Sequence, residues 1–583
     1  MTRRSVSPER WLYAGLVFST TAAASVRLWS ILRVDGFTHL KFILLVLFTI
    51  LFCWICASFW LCVIGAWARW SRSQLPVRTR SEQQMRALRP RVAVVMPIFN
   101  EEVSPVFARL QAIGESVAAS GARSLFDFFL LSDSTDLQNC RAEEAGFRAL
   151  RAQSGSRVYY RHRTPNGGRK SGNIRDFCEN WGAAYEYMVV LDADSLMTGD
   201  TLVSLVQLMD DNPRAALIQV PPFLIGRHSL FARLQQFASS VYGPLYWEGL
   251  AFLQGPDSNY WGHNAILRVA PFVRHCGLPR LPGRAPLGGE ILSHDFVEAA
   301  LLRRAGWELW MAPELGGSYE ESPPTLLHYL KRDRRWCEGN LQHMRLIFAR
   351  GFHGSSRVHL AVGVMSYLSA PLWLAMLVVA AVETFREQHF APALFAGRFP
   401  MLALPISHAM ESVILVLGAA LLLLGPKFLG WWMLVREPRR LAAHGGLKNA
   451  FGSVLFESVI STLLAPVVMI SQSMFVASVL AGRSTTWTAQ QRGSRGLGWR
   501  AAARAFVPHT VVAGVATVLI WQYIPSCFWW LAPLVAGPAL SIPLALISGS
   551  PAVGRFAARL GLLLVPSETA GLPVPSRFES LAG

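Results

Sequence analysis

Two groups of long apolar runs enclose a stretch of ordinary soluble composition, and that layout constrains this chain more than any other feature. Residues 11–31 and 42–66 are each apolar over about the 20 residues a helix needs to cross a bilayer core. Apolar runs resume at 359–382, 413–435, 450–481, 507–523 and 528–547. Residues 1–70 and 358–550 are nearly free of acids, whereas 72–350 hold an ordinary soluble mixture. The deficit shows in the total: 16% of the 583 residues are charged, against about 25% in soluble domains. The expected layout is therefore a membrane segment at 1–70, a basic linker at 71–89, a soluble domain at 90–350, a second membrane segment at 351–550 and a tail at 551–583.

The charges that remain give an orientation. The formal net charge is +18, which on its own suits a nucleic-acid binder. Its arginines, however, sit beside the apolar runs. Arg3, Arg4 and Arg10 precede the first, and Arg69, Arg72, Arg78 and Arg80 follow the second. That placement follows the positive-inside rule, so two crossings return the chain to the cytosol and no nucleic-acid partner is expected. Arg27 interrupts the first run and no small-residue cleavage site follows, so the run reads as an anchor rather than a signal peptide. Cys53 and Cys56 form a CxxC, but two further ligands are missing nearby, and buried apolar cysteine is the simpler reading.

The stretch 450–481 is flanked by arginines on both sides: Arg436, Arg439 and Arg440 before, Arg483, Arg492, Arg495 and Arg500 after. With both flanks cytosolic it crosses an even number of times or not at all. Pro466 divides it, and proline removes a helical hydrogen bond. The expectation is a tight helical hairpin, or an interfacial helix with a re-entrant segment, giving six or eight crossings in total.

Within 90–350, short β-branched runs alternate with amphipathic stretches. RVAVVMPIFN, FDFFLLSDS, SRVYYRHR, YMVVLDADS and AALIQVP read as buried strands, and CRAEEAGFRALRAQ as a helix between two of them. This alternation predicts an α/β, Rossmann-like, mostly parallel sheet. Ligands of such sheets sit beyond the carboxyl ends of the strands, and three of these strands end in acids. Pro97, Asn100 and Glu101 close the first, Asp133 and Asp136 the second, and Asp192 and Asp194 the fourth. Two carboxylates at i and i+2 face the same way and repel unless a cation lies between them. A hard ion, Mg²⁺ or Mn²⁺, shared with a diphosphate would relieve that. A solvated turn would carry the same tripeptide, so the signal lies in the coincidence of three strand ends.

Three further stretches carry candidate chemistry. Asn166-Gly167-Gly168-Arg169-Lys170-Ser171-Gly172-Asn173 is a basic glycine-rich loop without the Walker spacing. It could bring Lys170 and backbone amides to a nucleotide ahead of a helix expected from Ile174, and a plain surface loop would look alike. Ser293-His294-Asp295 opens a helix. Asp295 is there either as a helix-dipole partner or as the base that takes a hydroxyl proton during glycosyl transfer. Lys331-Arg332-Asp333-Arg334-Arg335-Trp336 joins a cationic cluster, fit for a departing diphosphate or a membrane surface, to a flat apolar ring fit for a sugar.

Taken in order, Asp133, Asp192/Asp194, Asp295 and Arg332-x-x-Arg335-Trp336 resemble the motif series of the processive family-2 glycosyltransferases, the group of cellulose and hyaluronan synthases. Arg332 stands where that group usually has Gln, and His294 where Glu is common. The strings QVPPFLIGRHSLFARLQQFASSVYGP, YWGHNAILR, GGEILSHDFVEAALLRRAGWELW and LKRDRRWCEGNLQH narrow the match. They resemble the glucans biosynthesis glucosyltransferase H family, bacterial inner-membrane enzymes of osmoregulated periplasmic glucan synthesis. The likeness is detailed over about 90–350, and the chain is expected to be shorter at both ends than longer members.

The resemblance implies a GT-A-like cytosolic domain between transmembrane helices, UDP-glucose as donor and a growing glucan as acceptor. It implies an inverting transfer, a β-1,2 backbone and passage of the product across the membrane. By the same likeness, Pro97, Asn100, Glu101, Asp133, Lys170, Asn173, Asp192 and Arg332 would bind the nucleotide sugar. Asp194, with Asp192, would hold Mg²⁺ or Mn²⁺. Asp295 would be the base and Arg335 would bind the leaving diphosphate. Trp261, His263, Asn264 and Trp336 would meet the acceptor. A periplasmic glucan-processing protein and an acyl carrier protein are implied as partners. Rival readings are a cellulose-like synthase, a transferase adding one sugar to a lipid, and a transporter or sensor, the last disfavoured by the full set of acids.

Overall fold

The computed structural model describes residues 7–33, 36–71, 91–153, 155–389, 409–485, 496–569 and 571. Most of the expected linker, Arg3, Arg4, Arg72, Arg78, Arg80, Arg492 and Arg495 lie outside the described residues. Two apolar helices come first, α1 (Pro8–Leu32) and α2 (His39–Trp70). They pack through Val17, Ala24, Phe52 and Cys56. All eight cysteines are free thiols; Cys56 and Cys62 are buried and Cys53 is exposed.

A soluble α/β unit follows. Its first half runs β1 (Val92–Ile98), α3 (Val103–Ala119), β2 (Phe126–Ser132), α4 (Leu137–Gln153), β3 (Arg157–His162), α5 (Arg169–Asn180) and β4 (Tyr187–Val190). Its second half runs β5 (Leu196–Met197), α6 (Gly199–Asp211), β6 (Ala215–Gln219), β7 (Phe223–Ile225), α7 (Leu230–Val241), α8 (Gly243–Gln254) and β8 (Ala265–Arg268). It closes with α9 (Val269–His275), α10 (His294–Arg304), β9 (Glu308–Met311), β10 (Ser318–Glu321) and α11 (Leu326–Gln342).

Seven strands form one sheet in the order β3-β2-β1-β4-β8-β6-β9. All neighbours are parallel except β8, which runs antiparallel to β4 and β6. Because side chains alternate along a strand, β1 feeds two cores. Val92, Val94 and Met96 pack on one face and Ala93 and Val95 on the other. Burial on both faces explains the unbroken apolar runs. β5, β10 and β7 make a second, three-stranded sheet.

The second membrane-type segment holds α12 (Gly354–His389), α13 (Ala409–Val435), the short α14 (Pro438–Ala443), α15 (Gly446–Leu480) and α16 (Trp499–Tyr523). After it come α17 (Phe528–Ala539), α18 (Ser541–Ser548), α19 (Pro551–Arg559) and α20 (Pro566–Thr569). Among the described residues six helices are long and apolar enough to cross a membrane, making this a multi-pass membrane protein.

The structure overturns one expectation and refines another. The stretch 450–481 is no hairpin: α15 is one continuous helix with Pro466 inside it. Pro466 is buried among neighbouring helices, and packed neighbours can offset the single hydrogen bond a proline removes. The stretch 528–547 is bent: α17 and α18 meet at an angle of 59°, as in a broken span or a re-entrant loop. Pro538, just before the break, removes one amide from the helical ladder.

The soluble unit is tightly joined to the helices. Gly65 of α2 and Gly249 of α8 each pack against the other helix's backbone so closely that a Cβ at either would overlap a carbonyl oxygen. Arg69, at the end of α2, pairs with Glu248 of α8 and with Glu437 just after α13. α15 touches the unit at both ends. Ala450 and Val454 pack with Leu230 and Phe237 of α7, while Val476 and Val479 pack with Cys337 and Leu341 of α11.

Candidate active site

The carboxyl ends of β1, β2 and β4 converge as the sequence pattern requires. The loop after β2 is built on Glu143, a buried carboxylate of α4 that accepts hydrogen bonds from Ser132, Ser134 and Tyr160. Asn100 follows β1 at φ 50°. Its side-chain oxygen accepts from the backbone N–H groups of Thr135 and Asp136, each at 3.0 Å. Asn100 thus binds one strand-end loop to the next.

Asp133 is buried, and its carboxylate accepts two hydrogen bonds from the Arg163 guanidinium, at 2.9 and 2.6 Å. Arg163 follows β3 directly, and no motif in the sequence marks it. Its one signal is the polar strand end of YRHR, where a charge succeeds a strand as the acids do elsewhere. Pro97 lies within β1, opposite Leu131. Glu101 opens the turn into α3.

The helix expected from Ile174 begins five residues earlier, at Arg169, because Gly168 supplies the cap at φ 77°. Lys170 therefore sits in the first helical turn. Its ammonium pairs with Asp192 and donates to the Gly262 carbonyl at 2.8 Å. Asn173 is buried, and its amide donates to the Leu131 carbonyl at 2.9 Å.

The Asp192-Ala193-Asp194 turn is closed by Ser195, whose hydroxyl accepts from the Asp192 N–H at 2.9 Å. Among the described residues no group of three or more His, Cys, Asp or Glu side chains could hold a metal ion. That donor set fits a hard ion completed by phosphate oxygens, which typically takes only one or two protein carboxylates. Any such ion would share the Asp192 carboxylate with Lys170.

Asp295 stands in the first turn of α10, against Gly262. A Cβ on Gly262 would lie 3.2 Å from Asp295 Oδ2. Burial raises the Asp295 carboxyl above its usual range; His294 opposes the shift and Glu298 adds to it. Burial pushes the His294 imidazole down, but Glu298, 3.0 Å away, outweighs this and its net shift is upward. His294 thus sets an imidazole that gains protons more readily than a free one beside the candidate base.

The stretch after Tyr260 borders Asp295. His263 Nε2 lies 3.4 Å from Glu320 Oε2, and the Trp261 ring packs edge-on against Trp247. Asn264 is fully buried, and its amide donates to the Ser318 hydroxyl at 2.9 Å. Asn173 and Asn100, by contrast, bond to backbone at strand ends. An amide carries both donor and acceptor, which suits it to bracing backbone at strand ends. Sequence reasoning misses Glu320. Burial raises its carboxyl, opposed by His263 and Arg332 and reinforced by Asp194 and Asp192. It is a further carboxylate of the same site.

The RDRRW cluster lies on α11. The Arg332 guanidinium sits 4.6 Å from the centroid of the Trp336 ring, one helical turn along. Trp336 is 49% exposed, which leaves ring surface for a ligand. Asp333 points the other way, accepting from Tyr367 of α12 at 3.0 Å and Gln472 of α15 at 2.9 Å. This pins the cationic helix to two of the apolar ones.

A mostly parallel sheet with acids at its strand ends, a DxD turn and a carboxylate against the Gly262 that Lys170 ties to that turn define a GT-A-like glycosyltransferase. Residues 93–275 match the profile of Glycosyl transferase family 2, and residues 187–396 that of Glycosyl transferase family group 2. The glucans biosynthesis glucosyltransferase H of Cupriavidus pinatubonensis is 43% identical over 567 residues, covering 96% of this chain and 66% of the relative. That of Rhodopseudomonas palustris strain TIE-1 is 43% identical over 93% of this chain and 76% of its own length. Among solved structures, a mannosyltransferase from Pyrobaculum calidifontis in complex with GDP-Man and Mn²⁺ covers 75% of this chain and 99% of its own. It is 16% identical, with a TM-score of 0.43. The chain belongs to the glucans biosynthesis glucosyltransferase H family, and spans about two thirds of the Cupriavidus relative's length.

Proposed function

We propose that this glucosyltransferase polymerises glucose from UDP-glucose into the β-1,2-linked backbone of a periplasmic glucan, working at the bacterial inner membrane with its soluble unit in the cytosol. The observation that carries the reading is the placement of Asp295 against Gly262, the residue whose carbonyl Lys170 holds while also pairing with Asp192. One lysine thus links the candidate donor turn to the wall of the candidate base.

In this reading Glu101 and Asp133 meet the uridine, with Arg163 fixing the Asp133 carboxylate. Lys170, Arg332 and Arg335 face the diphosphate. Mg²⁺ or Mn²⁺, held by Asp194 with Asp192 nearby, would neutralise diphosphate charge. The acceptor glucose stacks on Trp336, with Trp261 and His263 beside it. Its hydroxyl oxygen attacks the anomeric carbon while Asp295 takes the hydroxyl proton. The bond from that carbon to the diphosphate oxygen breaks, and the electron pair leaves with UDP. A single displacement inverts the α-linked donor to a β-linked product. The raised Asp295 carboxyl favours proton uptake, as a base needs.

A cavity of about 580 Å³ between α2, α7, α12, α13 and α15 supports export of the product. Its lining is mostly apolar, but Trp54, Phe231 and Trp373 offer flat rings and Gln235, Glu457 and Gln472 a few polar groups along it. Gln472 is also the partner of Asp333, so the cavity abuts the cationic helix. The contacts of both ends of α15 with the soluble unit support an interfacial placement of that helix, in keeping with its basic flanks.

The test is Asp295→Asn. Glucan synthesis should fall below detection while UDP affinity stays near that of the unaltered protein; substantial turnover would sink the assigned base. Asp194→Ala should weaken metal-dependent UDP binding, and an unchanged Mg²⁺-dependent affinity would count against the metal assignment.

A further inference from the structure

Behind the DxD turn lies a largely buried charge triad that the reaction as described does not use. Arg109 of α3 is 3% exposed, and its Nη1 donates to the Ala193 carbonyl at 3.0 Å. Ala193 is the residue between the two aspartates. The other arm of that guanidinium, Nη2, pairs with Glu321 Oε1 at 2.5 Å. The second oxygen of the same carboxylate pairs with Arg227 Nη2 at 2.5 Å. One carboxylate is therefore shared by two arginines, with both its oxygens spent.

Three chain segments meet at that carboxylate. Glu321 ends β10, which pairs on one side with β5, the strand directly after the DxD turn. On its other side β10 pairs with β7, which ends two residues before Arg227. The Arg227 carbonyl accepts from Gln236 of α7 at 2.8 Å. Ser229, the cap of α7, donates to the Pro324 carbonyl at 2.5 Å, just before α11 begins. A continuous path thus runs from the peptide inside the DxD turn, through Arg109, Glu321 and Arg227, to the start of the helix carrying Arg332 and Arg335.

Buried ion clusters of this kind are commonly replaceable by apolar side chains without loss of stability. Their use is more often to fix geometry than to add free energy. Here the geometry fixed is the placement of the DxD turn relative to the start of α11. Anchoring the Ala193 carbonyl prevents rotation of the peptide that aims Asp192 and Asp194. The far end of the triad sets where the cationic helix starts.

We propose that Arg109 and Glu321 are positioning residues for the nucleoside diphosphate, holding the metal-binding turn and the cationic helix at the separation the diphosphate requires. The proposal rests on the reading of Asp194 as the metal carboxylate. Its two ends have different signatures. Loosening the Arg109 end disturbs only what the metal contributes. Loosening the Arg227 end disturbs the arginines, which act with or without metal.

The experiment is equilibrium UDP binding to the purified full chain in detergent, with Mn²⁺ and with EDTA, beside a thermal melt. Arg109→Lys keeps a cation on Glu321 but lacks the planar fork needed to reach the Ala193 carbonyl as well. It should lose about tenfold in Mn²⁺-dependent affinity, which corresponds to about 1.4 kcal/mol, with affinity in EDTA and the melting point nearly unchanged. Arg227→Lys should lose affinity under both conditions. A loss below about threefold in folded Arg109→Lys, or an equal loss with and without Mn²⁺, overturns the proposal. Should Arg109→Lys not fold, Arg227→Lys decides alone: an EDTA affinity equal to that of the unaltered protein overturns it. Asp194→Ala separates the two failures. If Asp194→Ala abolishes the Mn²⁺ effect and Arg109→Lys does not weaken it, the positioning claim alone is wrong. If Asp194→Ala leaves the Mn²⁺ effect intact, the metal reading is wrong and this inference falls with it.

Discussion

Gly262 is the residue at which a single methyl group should report on the candidate base. It has φ 88°, and a Cβ there would lie 3.2 Å from Asp295 Oδ2 and 3.6 Å from Asp295 Cβ. Gly262→Ala therefore carries two separable costs. The backbone cost of placing an L-residue at positive φ is about 1–2 kcal/mol. The steric cost falls on Asp295, which must retreat by a few tenths of an ångström. A displacement of about 1 Å can cost about a hundredfold in rate, so a few tenths should cost about five- to tenfold. Gly289 supplies the control, because it has the same φ of 88° with nothing within 4 Å of an added Cβ. Gly289→Ala should show the loss of stability without the loss of turnover. The assay is glucose transfer at saturating donor together with UDP affinity and a thermal melt for both variants. Gly262→Ala should lower kcat with UDP affinity unchanged. Equal kcat in folded Gly262→Ala and Gly289→Ala would refute the claim that Asp295 acts where the structure puts it.

Further tests address the charges and the docking. Asp295 must be ionised to act, so activity should fall as pH drops through its raised pKa. His294→Asn removes the neighbouring imidazole that opposes that rise, so the acid limb of the pH–kcat profile should move to higher pH. A limb that stays put or moves down would contradict the assignment. Arg163→Met leaves the buried Asp133 carboxylate without its bidentate partner, which should cost about 3 kcal/mol of stability and raise KM for UDP-glucose more than it lowers kcat. A thermal melt and initial rates against UDP-glucose check both. Gly249→Val would overlap the α2 backbone, so the soluble unit should lose its seat on α2. A sharply lower melting point in detergent is the expected result, whereas an unchanged melt would contradict the close packing.

The layout and the chemistry are legible in the sequence for one reason: both are written in short-range patterns. Strands buried on both faces give unbroken apolar runs, and β1, β2, β3, β4 and β6 all lie where those runs predict. Their polar ends mark the site. What stays hidden depends on pairing over long distances. β8 is four residues long and runs antiparallel between β4 and β6, and nothing in AILR itself announces a central strand. Arg109, Glu321 and Arg227 come from three distant parts of the chain, with no local spacing to betray their meeting. Asn100 and Asn173 bond to backbone at strand ends, contacts that no local pattern announces. The stretches 450–481 and 528–547 show the limit of proline as punctuation. Pro466 is absorbed in a packed helix, while Pro538 stands beside a break, and only their surroundings tell them apart.

The central claim is that this chain builds a β-linked glucan from UDP-glucose and delivers it across a membrane. The most direct measurement reconstitutes the purified chain in sealed vesicles, supplies radiolabelled UDP-glucose with Mg²⁺ to the outside, and determines the linkage, length and sidedness of the product. For molecules whose soluble unit faces outward, the expected product is a β-1,2-linked glucose polymer protected in the lumen, absent with Asp295→Asn. A product that stops at one sugar on a lipid, one made from another nucleotide sugar in preference, or a polymer found only outside the vesicles would contradict the account.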